Sequence, residues 1–220
     1  EEVLHDYRVA YESRQASILG RKEVFSGKAK FGIFGDGKEI AQLALAKVFR
    51  KGDWRSGYYR DQTIMLALGE VSLQQYFAQL YAHADLAHEP HTGGRLMNVH
   101  YATRSLKPDG SWKPITQQYN SAADVSCTGA QMPRLVGLAW ASKLYRNNPE
   151  LASMTDFSIS GNEIAFGTIG NGSTAEGQFF EAINAAGVLQ IPMIVSIWDD
   201  EYAISVPNEY QTTKGDIYKV

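Results

Sequence analysis

The chain has 220 residues, and its 44% hydrophobic and 20% charged residues are typical of a globular protein with a buried core. A formal net charge of -3 gives no electrostatic case for binding nucleic acid or an anionic membrane, and no apolar run approaches the roughly 20 residues of a membrane span. The single cysteine excludes an internal disulfide and suits a reducing compartment, so we expect a cytoplasmic protein, with a removed organellar leader as the open alternative.

The first part of the chain predicts four helices. In the second of them apolar residues recur at helical spacing, Gly37 precedes the helix, and Lys51-Gly52 ends it. The helices are expected in residues 3–18, GDGKEIAQLALAKVFRKGDW (35–54), DQTIMLALG (61–69) and SLQQYFAQLYAHA (72–84).

The segment from Leu86 to about Asp124 carries glycines, prolines and polar residues without a sustained period. An irregular segment of that length in a compact domain is usually functional or disordered. Its histidines, arginines and aromatic residues favour a function.

The rest of the chain predicts an α/β fold. A helix is expected at 129–148, followed by a strand at 163–170, a helix at 176–190 and a strand at 192–198. The last three form a βαβ unit, which implies a parallel sheet, and the second strand is apolar throughout and is expected to be buried on both faces. We therefore predict a three-layer parallel sheet flanked by helices, in a single domain over residues 1–220.

A glycine-rich stretch, IGNGSTAEG (169–177), follows the first of these strands. It lacks the third glycine of a dinucleotide fingerprint, because Ala175 stands there, and it lacks the lysine of a P-loop, because Gln178 stands there. Taken alone, the stretch is consistent with a tight βα turn that binds no ligand.

A second stretch, WDDEYAIS (198–205), follows the second strand. Ligands in parallel α/β sheets bind beyond the carboxyl ends of the strands, so the two loops are expected to be neighbours. Asn171 and Asp200 offer side-chain oxygens from these loops, and Mg²⁺ prefers oxygen ligands shared with phosphate groups. The two loops together therefore predict a magnesium and phosphate site.

These loops and the EGQFFEAINAAG between them resemble the thiamine-diphosphate motif of the α subunits of 2-oxo acid dehydrogenases, their decarboxylating components. That motif is G-D-G or G-E-G, a crossover helix, and N-N-x-Y-[AG]. The acidic ligand of the family is Asn171 here and its asparagine ligand is Asp200, an exchange that keeps one carboxylate and one amide. The resemblance extends over nearly the whole chain, and GGRLMNVHY (93–101) is similar to a stretch typical of branched-chain members.

The resemblance implies a thiamine-diphosphate-binding fold and a set of site residues. The implied metal ligands are Asn171, Asp200 and the main-chain carbonyl of Tyr202. The residues implied to bind thiamine diphosphate are Tyr59, Arg60, Ser126, Thr128, Gly170, Gly172 and Ser173. Among these, Arg60 would bind the diphosphate, whereas Ser126 and Thr128 fall in the segment that holds the aminopyrimidine ring.

Two further residues have open interpretations. His100 is the candidate catalytic residue, which would orient the substrate or line the active-site funnel, and it is equally consistent with a packed or solvent-facing loop histidine. Cys127 is expected to be a small buried residue rather than a nucleophile.

The implied function is oxidative decarboxylation of a 2-oxo acid, with the branched-chain type favoured, and transfer of the acyl group to a lipoyl group. The implied cofactors are thiamine diphosphate and Mg²⁺. The implied partners are a β subunit or the C-terminal half of a fused chain, a lipoyl-bearing acyltransferase core and the 2-oxo acid itself, in an oligomeric assembly.

Family α subunits continue beyond the region that matches Val220, so we expect a chain truncated at its C-terminus and inactive in isolation. One alternative is a pyruvate or acetoin dehydrogenase component. The other is a non-catalytic scaffold that has lost the metal site.

Overall fold

The computed structural model describes all 220 residues, which divide into two compact units. The helical unit consists of Glu1–Arg50 and Tyr58–Arg104, and the sheet unit consists of Lys51–Gly57 and Ser105–Val220. The single, truncated domain over 1–220 stays a prediction. The structure contains no candidate membrane-spanning helix.

The helical unit contains the four predicted helices. They span Glu2–Phe25 (α1), Glu39–Val48 (α2), Gln62–Ala67 (α3) and Leu73–Leu80 (α4). The first continues beyond its predicted end at residue 18. Buried apolar side chains from the helices and the following segment form the core of this unit, namely Ala16, Ile64, Met65, Val71, Tyr76, Val99 and Tyr101.

Buried polar side chains join α1 to α3. The Nε2 of Gln62 donates hydrogen bonds to the main-chain oxygen of Ser13 and to the Oγ of Ser17, both at 2.9 Å. The hydroxyls of Ser13 and Thr63 lie 2.7 Å apart. All four residues are fully buried, so these bonds offset the cost of removing polar groups from water.

The segment after α4 contains no helix or strand up to residue 104, as predicted. Glu89 is fully buried and fixes the first turns of this segment. Its carboxylate accepts hydrogen bonds from the backbone N–H groups of His91, Thr92 and Gly94 at 3.0, 2.8 and 3.1 Å. The hydroxyl of Thr92 donates a fourth bond at 2.5 Å. A single carboxylate therefore replaces the backbone partners that a helix would have supplied.

The sheet unit contains a four-stranded parallel sheet in the order β2–β1–β3–β4. The strands span Trp54–Ser56 (β1), Asn120–Ser121 (β2), Ala165–Gly170 (β3) and Met193–Trp198 (β4). Helix α5 (Gln131–Asn147) packs on β1, β3 and α6 (Gly177–Leu189). The predicted βαβ unit, β3–α6–β4, and the parallel α/β sheet are confirmed, whereas the third layer stays a prediction.

Two expectations about the strands are wrong. β4 is not buried on both faces, because it lies at the edge of the sheet and Ile194 is 42% exposed. The internal strand β3 is the buried one. β2 lies in the segment predicted to be irregular, and a strand of two residues is too short to leave a periodic pattern.

The stretch after β4 forms a small hairpin that the sequence did not predict. Strands β5 (Tyr202–Ala203) and β6 (Val206–Pro207) pair in antiparallel fashion. Ile204 and Ser205 form the two-residue turn between them. The hairpin holds one of the two predicted site loops in a defined shape.

Candidate metal and cofactor site

The carboxyl ends of β3 and β4 bring the two predicted loops together. Gly170 and Trp198, the last residues of these strands, are partners in the parallel register. Asn171, the first residue after β3, therefore corresponds in position to Asp199, the first residue after β4. The expectation that both loops leave one edge of the sheet is confirmed.

Gly172 packs directly against the hairpin. A Cβ added at this position would lie 2.5 Å from the Cβ of Ala203 and 3.2 Å from its Cα. Only a residue without a side chain allows the β3 loop and β5 to approach this closely. The second glycine of the motif therefore has a structural role in seating the hairpin against the β3 loop.

Asn171 begins a short 3-10 turn, Asn171–Ala175, and is 4% exposed. Its main-chain oxygen accepts a hydrogen bond from the Oγ1 of Thr174 at 2.6 Å. Its side-chain Nδ2 is buried without a hydrogen-bond partner, a situation that costs about 1–3 kcal/mol. A half-turn of the amide would present Oδ1 in the same direction. The amide nitrogen of Asn171 is thus a buried polar atom without a partner at the sheet edge.

The two exposed aspartates of the turn after β4 each accept a bond from the N–H two residues further along the chain. Oδ1 of Asp199 accepts a hydrogen bond from the N–H of Glu201 at 2.8 Å, so this carboxylate stabilises the turn. Asp200 is exposed, and its Oδ1 lies 3.4 Å from the N–H of Tyr202. The carboxylate of Asp200 and the main-chain carbonyl of Tyr202 are both oxygen donors suited to a hard cation.

The predicted aminopyrimidine segment is an exposed loop between β2 and α5. Ser126 and Thr128 are both exposed on it. The main-chain oxygen of Thr128 accepts a hydrogen bond from Nε2 of Gln178, near the start of α6, at 2.5 Å. The expectation that Cys127 is buried is wrong, because this loop runs over the surface and leaves the thiol exposed.

Tyr59 and Arg60 belong to the helical unit. The guanidinium carbon of Arg60 lies 5.7 Å from the ring centroid of Tyr59, within the range of a cation–π contact. The Nε2 of Gln42 donates a hydrogen bond to the main-chain oxygen of Arg60 at 2.8 Å, which fixes the backbone there. Cofactor binding by Tyr59 and diphosphate binding by Arg60 stay predictions.

His100 also belongs to the helical unit, and it is fully buried. Its Nδ1 lies 3.1 Å from the main-chain oxygen of Asn98. The side chain of Gln79 bonds both main-chain groups of His100, at 3.3 and 2.6 Å. This placement matches the packed alternative, and the catalytic role of His100 stays a prediction.

A family model described as "Dehydrogenase E1 component" matches residues 7–220. The chain belongs to this family. It is 30% identical over 193 residues to the 2-oxoisovalerate dehydrogenase subunit alpha of Bacillus subtilis, an alignment that covers 87% of this chain and 49% of the relative. It is 27% identical over 207 residues to the pyruvate dehydrogenase E1 component subunit alpha of Acholeplasma laidlawii. That alignment covers 94% of this chain and 48% of the relative.

A mitochondrial 2-oxoisovalerate dehydrogenase subunit alpha from Caenorhabditis elegans is 26% identical over 204 residues, covering 93% of this chain and 38% of the relative. The resemblance to the α subunits of 2-oxo acid dehydrogenases is thereby confirmed. The chain spans about half, or less, of the length of these relatives. They include bacterial and mitochondrial proteins, so a cytoplasmic location stays a prediction.

Gln211 is a neighbour of the candidate site that the sequence did not reveal. Its Nε2 is buried without a hydrogen-bond partner. Its Oε1 lies 3.8 Å from the position that a Cβ on Gly172 would take. No motif contains Gln211, and only the contact across the hairpin places it here.

A buried cluster of charges was also missed. Arg55 and Asp124 form an ion pair with side-chain exposures of 1% and 0%. Burial lowers the pKa of the Arg134 guanidinium below its usual value, although Asp124 acts to raise it. Arg55 stands in the short strand β1, which gave no sequence signal of its own.

Proposed function

We propose that this chain is the α-type portion of an enzyme that oxidatively decarboxylates a 2-oxo acid, with thiamine diphosphate held through Mg²⁺ at the β3 and β4 loops. The meeting of the two loops supports the proposal, since Gly170 pairs with Trp198 and Gly172 contacts Ala203. The partly unsatisfied buried amide of Asn171 adds a polar group at the same edge.

The donor chemistry fits Mg²⁺. The side chains of Asn171 and Asp200 and the carbonyl of Tyr202 would supply oxygen ligands, and phosphate oxygens would complete the shell. The exchange relative to the family pattern leaves the charge on the metal unchanged. One unit charge at 4 Å corresponds to about 4 kcal/mol at an effective dielectric constant of 20, so a compensated exchange favours a retained site.

Thiamine diphosphate, when bound, supplies the electron sink for decarboxylation, and the protein binds and orients it. The close approach that Gly172 permits, next to Gly170 and Ser173, suits a diphosphate against the backbone. The N-terminus of α6 follows directly and favours an anion. The main chain at Ser126 and Thr128, on an exposed loop, would hold the aminopyrimidine ring.

We favour a branched-chain 2-oxo acid as the substrate because of GGRLMNVHY (93–101), and one relative is named as a 2-oxoisovalerate dehydrogenase subunit. Pyruvate is the alternative substrate, since another relative is named as a pyruvate dehydrogenase component. The proposed partners are a β subunit or fused β half and a lipoyl-bearing acyltransferase that accepts the acyl group.

Calorimetric titration of the complete assembly with thiamine diphosphate tests the site. We expect binding that requires Mg²⁺ and that is lost in Asp200→Ala. Asp199→Asn is the matched control, because it keeps the oxygen that accepts from Glu201 and should leave binding nearly unchanged. Unchanged binding in Asp200→Ala would contradict the ligand assignment.

The absence of any binding by the wild-type assembly would instead favour the non-catalytic scaffold. If the assembly binds the cofactor, carbon dioxide release from 2-oxoisovalerate, pyruvate and 2-oxoglutarate identifies the substrate. We expect the fastest release from 2-oxoisovalerate, and faster release from pyruvate would contradict the branched-chain assignment.

A further inference from the structure

The buried pair of Arg55 and Asp124 ties β1 to the loop between β2 and α5. Nη1 of Arg55 donates to the two carboxylate oxygens at 3.2 and 3.0 Å, and Nη2 donates to Oδ2 at 3.0 Å. Nη1 also donates to the Oγ of Ser121, the last residue of β2, at 2.7 Å. One guanidinium therefore fixes both the end of β2 and the start of the loop.

A second guanidinium, that of Arg134 in the first turn of α5, holds the same loop from the other side. Its Nε donates to the Oγ of Ser56 at 3.0 Å, and its Nη1 donates to the main-chain oxygen of Ala123. The hydroxyl of Ser56 donates in turn to the main-chain oxygen of Gln131 at 2.9 Å. The loop is thus bonded to β1 and to α5.

The same polar network reaches the elements that flank the Asn171 turn. Nε2 of Gln131 donates to the main-chain oxygen of Thr168 in β3 at 2.9 Å. On the other side of the turn, Gln178 in α6 bonds the main-chain oxygen of Thr128. The exposed loop therefore has a defined position relative to both β3 and α6.

Stability alone is a weak reason for such a pair. Removing two ions from water costs several kcal/mol for each, and replacing both by apolar residues is often neutral or stabilising. The planar fork of an arginine does, however, fix a carboxylate in one geometry. A Cβ on Gly57 would lie 2.0 Å from Nη2 of Arg55, so the guanidinium also lies directly against the backbone.

We propose that Arg55 and Asp124 are positioning residues for the cofactor. They hold the main chain at Ser126 and Thr128 in the place from which it binds the aminopyrimidine ring of thiamine diphosphate. This inference rests on the proposed function, and the pair acts through the loop rather than on the cofactor.

Amide hydrogen exchange on the cofactor-free, full-length protein with its partner tests the position of the loop. The variant is Arg55→Met/Asp124→Leu, which removes both charges together. The control is Arg14→Met/Glu39→Leu, which removes another bidentate pair, with bonds of 2.6 and 2.8 Å, in the helical unit. We expect faster exchange confined to residues 122–130 in the variant and no change there in the control.

Calorimetry with thiamine diphosphate and Mg²⁺ supplies the second measurement. We expect about 10- to 100-fold weaker binding in the double variant, as for other residues that orient a ligand-binding group. The affinity of Arg55→Lys should lie between those of the double variant and wild type, because one ammonium group cannot reproduce the two-pronged geometry of a guanidinium. The control should bind like wild type.

Unchanged exchange in residues 122–130, or unchanged affinity in the double variant, would overturn the proposal. Faster exchange throughout the sheet unit would also overturn it, since the pair would then only stabilise the fold. If the double variant does not fold, Arg55→Lys is assessed by the same two measurements. A wild-type assembly that fails to bind thiamine diphosphate would refute the proposed function, whereas the exchange data would separately decide whether the pair positions the loop.

Discussion

Glu89 is a fully buried carboxylate whose partners are almost all backbone N–H groups. Burial alone would raise its pKa, but the hydrogen bonds from Thr92, Gly94 and His91 together outweigh burial and hold the pKa below the usual value. A lowered pKa in the folded state means that the ionised carboxylate stabilises the fold. This contribution is complete above the usual glutamate pKa of 4.5 and is lost as the pH falls through the lowered value.

Glu89→Gln should therefore destabilise the helical unit at pH 7. Whichever carboxylate oxygen it replaces, the new amide nitrogen would face an N–H donor, either that of His91 or those of Thr92 and Gly94. We expect a loss of about 2 kcal/mol in the free energy of unfolding. The difference from wild type should shrink below pH 4.5. Urea denaturation followed by circular dichroism at pH 7 and pH 4 measures both effects.

Glu12→Gln is the control for that experiment, because Glu12 makes only an exposed pair with Arg8 on α1. Exposed pairs of this kind contribute little, so its free energy of unfolding should stay close to that of wild type. An equal loss in the two variants, or a Glu89→Gln difference that grows towards low pH, would contradict the assignment.

Side-chain chemistry in a motif yields candidate ligands but not the residues that surround them. Asn171 and Asp200 could be selected because oxygen donors follow two neighbouring parallel strands. The role of Asp199 in its turn depends on a single N–H, and the exposure of Cys127 depends on the path of a loop. Gln211 approaches the site only through folding of the hairpin, so no local pattern could reveal it.

At the scale of the elements, the contribution of the contact between the β3 loop and the hairpin to cofactor binding can be tested directly. Gly172→Ala would place a methyl group 2.5 Å from the Cβ of Ala203, so the hairpin must move. We expect at least about tenfold weaker magnesium-dependent binding of thiamine diphosphate by the assembly, with the fold retained. Gly177→Ala is the matched control, since its added Cβ meets nothing within 4 Å. Equal affinities in the two variants would refute the role of the contact.

The packing of α5 on β3 gives a second test at this scale. A Cβ on Gly167 would lie 2.2 Å from Cδ2 of Leu135, and overpacking of a core costs about 1–3 kcal/mol. Gly167→Ala should lower the free energy of unfolding by that amount, as measured by tryptophan fluorescence in urea. Gly187→Ala in α6 meets no atom within 4 Å and should be neutral or slightly stabilising, because alanine favours helix. A Gly167→Ala variant as stable as wild type would contradict the close packing of Leu135 on β3.

The lengths of the elements explain which of them could be predicted. The long helices and the six-residue strands β3 and β4 leave patterns that composition and period reveal. β1 and β2 have three and two residues, too few for a pattern, and the sheet edge at β4 depends on pairing rather than on its apolar sequence.

For the whole molecule, family membership and the parallel α/β sheet could be predicted, whereas the division into two units could not. The predicted cofactor residues are distributed over both units, with Tyr59 and Arg60 in the helical unit and the loop residues in the sheet unit. All four tryptophans lie in the sheet unit, at 54, 112, 140 and 198. Tryptophan fluorescence can therefore follow the sheet unit, whereas circular dichroism reports the helices of both units.

The proposed metal site is tested most directly by the Mg²⁺ dependence of thiamine diphosphate binding, measured on the complete assembly in four proteins. These are wild type, Asn171→Asp, Asp200→Asn and the double exchange. If the two side chains share one cation, Asp200→Asn should weaken binding at least about tenfold, and the double exchange should restore it to near the wild-type affinity. An Asp200→Asn protein that binds like wild type, or a double exchange no better than that variant, would contradict the shared metal site.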